Sequence, residues 1–208
     1  MSLYEWSEDY STHIRAIDSD HKNLFDTINT LHDAQVAGTV VERISPILGM
    51  LHTYVVEHFT REERFLEQAG YPELDTHRAA HRKFTCIILN LETLCQREFD
   101  RIDIDKVLAF LGTWLQDHIL VADMKYVSCL RGENNGAPPS DLGADDASDM
   151  VQLSISVPHD KVDLVKRIVH TLGSGTSGER FEQSLKTALD KIEAAQLDHA
   201  RKLFAKSP

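Results

Sequence analysis

Four long segments of this chain repeat apolar residues every three or four positions, and each one sets histidine or carboxylate into its apolar stripe. The first, about residues 19–37, runs His21, Leu24, Phe25, Ile28 and Leu31, with Asp18 or Ser19 available as N-cap. The second, about 41–69, runs Leu51, Val55, His58, Glu62 and Phe65 and ends at "AGYP". The third, about 73–97, carries His77, His81, Phe84, Ile88, Leu91 and Cys95. The fourth, about 104–130, carries Leu108, Leu111, Leu115, Ile119 and Tyr126, with His118 and Asp123 beside them. Amphipathic helices of this length joined by short loops predict an all-α, antiparallel up-down four-helix bundle over residues 1–131.

Polar groups on apolar stripes are costly unless something satisfies them, and a buried carboxylate needs a partner or a metal. A single i, i+4 histidine pair is a weak signal, because half-exposed helical histidines are common. Four segments presenting such groups in matched fashion are a strong one. The candidate ligands are His21, His58, Glu62, His77, His81, His118 and Asp123, more side chains than one tetrahedral zinc takes. They are also too rich in imidazole for calcium or magnesium. Two octahedral metals need twelve positions; five imidazoles, two bridging carboxylates and one bridging oxygen fill all but one. Residue type leaves iron, zinc, copper and nickel open.

The motifs "IDSDH" (His21), "HFTREE" (His58, Glu62), "HRAAH" (His77, His81) and "HILVAD" (His118, Asp123) resemble the hemerythrin family in type and order, over roughly residues 1–131. "LYEW" near the N-terminus and "GYP" after the second segment resemble its bacterial branch. The resemblance implies a four-helix bundle of hemerythrin type holding two iron ions in an oxo- or hydroxo-bridged di-iron centre. It implies His77, His81 and His118 on one iron, His21 and His58 on the other, and Glu62 and Asp123 bridging. It further implies reversible dioxygen binding at the open position, in an apolar pocket matched by Phe59, Trp114, Leu115 and Ile119. Asp20 departs from the family, which often has Gln there, and brings negative charge beside the first ligand. On this reading the protein is an oxygen carrier, store or sensor and not an enzyme. The alternative is a di-iron redox enzyme acting on peroxide, nitric oxide or ferrous iron, for which the pocket stripe offers no extra acid or base.

One geometric question stays open. His118 and Asp123 are five residues apart, about 140° on a regular helix. Either the centre straddles the two edges of the stripe or a π-type turn brings i and i+5 together. The straddle is favoured here, because Leu115 and Ile119 keep phase with Asp123 without a slip. Glu63, about 100° from Glu62, is expected in solvent.

Residues 132–150, rich in Gly, Pro, Ser and Asp, predict a linker. Beyond it, residues 151–208 read as a small strand–helix–helix module: "VQLSISV" (151–157) alternates with period two, and helices follow over about 159–172 and 179–204. The strand–helix–helix order resembles ribbon-helix-helix DNA-binding dimers, but no basic residue lies on the strand, and nucleic acid is not expected as a partner. The net charge of −11 points the same way for the first domain. No run approaches the ~18 apolar residues of a membrane span. Three cysteines without CxxC spacing and a start without a signal-peptide pattern predict reduced thiols and a cytoplasmic location. A module this small cannot easily bury its strand face alone, so a homodimer through residues 151–208 is expected, with a protein signalling partner as the other use of the module. Light scattering at micromolar concentration should therefore give twice the chain mass; a single-chain mass would sink the dimer.

Overall fold

A computed structural model describes residues 2–130 and 178–206 of the chain. After a short 3-10 turn at Glu8–Tyr10 come α1 (Arg15–Val36), α2 (Val40–Gln68), α3 (Leu74–Glu98) and α4 (Ile104–Asp117). The fourth segment then continues as a π turn at His118–Ala122, a 3-10 turn at Asp123–Lys125 and the short helix α5 (Val127–Leu130). The last described helix is α6 (Gly178–Phe204). By packing, the chain divides into one unit of Met1–Gly143 with Ala200–Pro208 and a second of Ala144–His199. The expected strand at 151–157, the helix at 159–172 and the dimer contact built on them lie outside the described residues. Among the described residues there is no strand, only an isolated bridge between Ile102 and Ala205, and no helix long and apolar enough to cross a membrane. All three cysteines are free thiols.

The four-helix bundle forms as the stripes require, with α1 packed on α2, α2 on α3 and α4 on α1. Leu24, Phe25, Ile28 and Leu31 of α1, Leu51 and Val55 of α2, Ile88 and Leu91 of α3, and Leu108 and Leu111 of α4 are all buried. Phe65, expected inward, is half-buried; its neighbour Leu66 fills the core instead. Gly38 and Gly70, at φ 71° and 65°, stop α1 and α2 in left-handed turns. There Thr39 N–H reaches Ala34 O at 2.8 Å, and Tyr71 N–H reaches Leu66 O at 2.9 Å.

Helix α1 corrects the expected start. It begins at Arg15, four residues ahead of Ser19, so Asp18 lies inside its first turn rather than at its cap. The Asp18 carboxylate accepts Thr12 N–H at 2.8 Å and the Thr12 and Ser11 hydroxyls at 2.7 Å each. Burial works to raise its pKa, but these hydrogen bonds hold it below the usual carboxylate value. Negative charge near a helix N-terminus also complements the backbone dipole.

The N-terminal segment straps across α1 and α4. Asn29 holds both backbone groups of Tyr4, accepting its N–H at 2.9 Å and donating to its carbonyl at 2.8 Å. Tyr4, Trp6 and Tyr10 gather around Phe25, and Lys22 Nζ sits 4.7 Å from the Trp6 ring centre. The Tyr4 ring lies so close to Gly112 that a Cβ there would meet it at 1.9 Å. Gly112→Ala should therefore displace the Tyr4 ring and loosen the strap, costing about 1–2 kcal/mol in denaturant unfolding followed by Trp fluorescence. In a Tyr4→Ala background the same change should be neutral or stabilising, since Ala outperforms Gly in a helix by about 0.5–1 kcal/mol.

Candidate metal centre

The middle of the bundle brings all seven expected polar residues together. His21, His58, Glu62, His81 and Asp123 are essentially inaccessible to solvent, and His77 and His118 are nearly so. Helix α2 supplies His58 and Glu62, and α3 supplies His77 and His81, each pair one helical turn apart on the inner face. The two carboxylates lie between two groups of imidazoles. Glu62 lies 3.6 Å from His58 Nε2, 3.3 Å from His77 Nε2 and 3.2 Å from His81 Nε2. Asp123 lies 3.3 Å from His21 Nε2, 3.1 Å from His118 Nε2 and 3.7 Å from His77 Nε2. One ligand atom each from Glu62, His77, His81 and His118 falls within 4.8 Å of the others. His21 and His58 form a separate edge-to-face pair with ring centres 4.7 Å apart.

The five-residue gap is closed by a π turn, which corrects the straddle favoured from sequence. Asp123 N–H bonds to His118 O, an i to i+5 closure, and also to Ile119 O. The widened turn puts both side chains on one side of the segment and turns Leu120 and Val121 outward, 44% and 59% exposed. The phase of Leu115 and Ile119 did not reveal it, because the slip falls after both of them.

Much of this donor set has no protein hydrogen bond. Both oxygens of Glu62 and of Asp123, both ring nitrogens of His21 and of His58, and His77 Nε2 are buried without a protein hydrogen bond. Burial would raise the Glu62 carboxyl, but the His77 and His81 rings hold it well below the ordinary value. Asp123 is pushed well above, first by burial and then by the neighbouring Glu62 charge. Burial, reinforced by His58, takes His21 down to about 3, and burial also carries His118 well down. His81 goes the other way: burial lowers it, but Glu62 and Glu63 outweigh that and raise it.

Two outer carboxylates stand behind the inner rings. Glu63 was expected in solvent; instead its Oε1 accepts from His81 Nδ1 at 2.8 Å, with Arg78 Nε donating to its other oxygen at 3.3 Å. Asp20 lies 3.5 Å from His58 Nδ1 and pairs with Arg61. Each leaves Nε2 of its histidine facing the centre.

Aromatic rings close one side. Phe59 stacks on His81 with centres 3.6 Å apart, and Trp114 stacks on His118 at 4.5 Å. Phe59 is buried and Trp114 half-buried, while Leu115 and Ile119 are buried on the same segment. Tyr126, read from sequence only as core, is fully buried with its hydroxyl unpartnered and its ring edge-on to His77 at 5.7 Å. Burial, then the charges of Glu62 and Asp123, raise its pKa well above 10.0. Its place three residues beyond Asp123 was the available signal. Cys86 is half-buried, bonded by Asn90, and raised by burial, which leaves it a poor nucleophile.

This chain is similar to proteins of known kind. The family model for the Hemerythrin HHE cation binding domain matches residues 12–130. A bacteriohemerythrin of Methylococcus capsulatus is 32% identical over 131 residues, spanning 62% of this chain and 98% of that protein. A bacteriohemerythrin of Pseudomonas aeruginosa is 33% identical, over 63% of this chain and 84% of that one. A myohemerythrin of Theromyzon tessulatum is 27% identical, over 59% and 90%. A wild-type hemerythrin crystal structure aligns with TM-score 0.57 at 31% identity, over 62% of this chain and 98% of that one. None of these relatives carries an enzyme's name. The inward-facing histidines and carboxylates, the helical bundle and a family match over more than half its length place this chain in the hemerythrin family.

Proposed function

We propose that the bundle binds two iron ions between Glu62 and Asp123 and uses them to bind dioxygen reversibly, as a carrier, store or sensor. The observation that carries this reading is the pair of fully buried carboxylates whose four oxygens find no hydrogen-bond donor in the protein. Such groups are destabilising by several kcal/mol unless a cation satisfies them. Imidazole and carboxylate together fit iron, and the similar proteins are hemerythrins. The arrangement suits two ions: His77, His81 and His118 gather on one side, His21 and His58 pair on the other, and each carboxylate reaches both groups.

When bound, the iron pair supplies the electrons that dioxygen binding takes up. The remaining chemistry belongs to the chain. Glu62 and Asp123 would balance the charge of the cations, Glu63 fixes the ring orientation of His81, and Asp20 sets negative charge 3.5 Å from His58 Nδ1. Phe59 and Trp114 stack over two ligand rings and limit water and proton entry from that side. Exclusion of water and protons is what separates reversible binding from irreversible oxidation. It favours a binding protein over the redox enzyme acting on peroxide, nitric oxide or ferrous iron.

Metal analysis with an ultraviolet–visible spectrum tests the reading. Two irons per chain, oxo-bridge charge-transfer bands and an oxygen adduct that reverses under vacuum are expected. Zinc without such bands overturns it, and rapid peroxide turnover favours the redox enzyme. Separately, Glu63→Gln should weaken metal binding about 10–100-fold in competition with a chromophoric chelator, because His81 loses its orienting carboxylate. Glu67→Gln, altering a carboxylate that bonds only Arg78 among the contacts described, should leave it unchanged.

A further inference from the structure

The family match ends at residue 130, yet residues 200–206 come back to the bundle. Phe204 is fully buried and Ala200 nearly so. The returning backbone adds to the α3–α4 turn as a short ladder. Phe204 O accepts Asp103 N–H at 2.8 Å, and Lys206 N–H donates to Arg101 O at 2.9 Å. Side chains reinforce it: Arg201 grips Glu98 through two nitrogens at 2.6–3.2 Å, and Lys106 Nζ donates to Ala205 O at 2.7 Å. Because the Methylococcus relative is matched over 98% of its length, it has no counterpart of this segment.

The docking site is the N-terminal end of α4, and the other end of α4 runs into the π turn that carries His118 and Asp123. A series of rings spans the same distance. Phe204 meets Phe110 edge-on at 5.3 Å, and Phe110 lies 6.0 Å from Phe84. Phe84 stacks on Trp114 at 3.6 Å, and Trp114 stacks on His118 at 4.5 Å. Phe204, Phe84 and His118 in this series are buried, and Phe110 and Trp114 are half-buried. Close-packed interiors answer shifts by moving between discrete arrangements, not by gradual compression.

We propose that residues 200–206 are a latch whose seating is coupled, through α4 and the rings Phe204, Phe110, Phe84, Trp114 and His118, to the state of the metal centre. The inference rests on the metal reading above. Metal at His118 pins the Trp114 stack and seats the latch. A ligand entering beside Phe59 and Trp114 has to move the half-buried Trp114 ring, and this unseats it. The centre would then report its state to whatever the preceding segment contacts.

Hydrogen exchange on the full chain tests this, reading the Asp103 and Lys206 amides that bond across the latch. The Thr39 amide, at the same end of the bundle but outside the latch, corrects for global stabilisation. Iron loading without oxygen should slow the latch amides at least fivefold relative to Thr39, and oxygenation should speed them at least fivefold. A smaller change at both steps, or a change in the opposite sense, overturns the latch. If iron loads but no oxygen spectrum forms, the oxygen reading fails by itself, and the loading step alone decides the latch. Phe110→Leu keeps the polar latch contacts but interrupts the rings, and should abolish the state dependence; full retention overturns the route. Because coupling is reciprocal, Arg201→Gln should tighten oxygen binding, whereas unchanged or weaker binding also overturns the proposal.

Discussion

Two carboxylates, Glu62 and Asp123, lie in the middle of the bundle with no access to solvent and no protein hydrogen bond to their oxygens, among imidazoles 3.1–3.7 Å away. Like charges in a low-dielectric interior repel by several kcal/mol at contact distance. Burial and the neighbouring Glu62 charge push the Asp123 carboxyl well above the usual carboxylate value. The neutral state of His21 follows from the same burial, and neutral imidazole is the form that ligates metal. The groups that burial makes costly are the groups a pair of cations would use.

That constraint explains the outer shell. A histidine that must present Nε2 inward needs its other nitrogen held, and on His81 this is done by Glu63, itself steadied by Arg78. Asp20 stands behind His58, 3.5 Å from its Nδ1 and paired with Arg61, close to that nitrogen but without a hydrogen bond to it. Both outer carboxylates are half-buried and paired with arginine, so part of their charge is already balanced. The departure at Asp20 therefore adds less net field at the centre than a lone carboxylate would.

The stripes on the four segments were legible because burial imposes a 3.6-residue period on every helix that packs, and the seven inward polar groups broke that period conspicuously. Features set by one residue's contact with another helix were not legible. Nothing in "HFTREE" shows that Glu63 meets His81, since the partner comes from α3 and depends on how the helices cross. The early start of α1 depends on Asp18 reaching back to Ser11 and Thr12, a bond that spacing permits but does not require. The π turn leaves a faint trace: Ile119, Leu120 and Val121 are three apolar residues in a row, and a regular helix cannot bury all three. Ile119 is buried and the other two are turned out.

The fourth segment reaches the site through the π turn. An i to i+5 turn is uncommon in helices and is found where function requires a side chain to be re-aimed. Here it brings Asp123 to 3.1 Å from His118 Nε2. The rest of the segment is firmly fixed: Asp103 caps it by accepting from Lys106 N–H, and the returning chain bonds to its first residues. A helix fixed at one end, with its irregular turn at the ligands, concentrates any adjustment at the centre and along the rings beside it. Trp114 is half-buried and lies between His118 and Phe84, stacked on both.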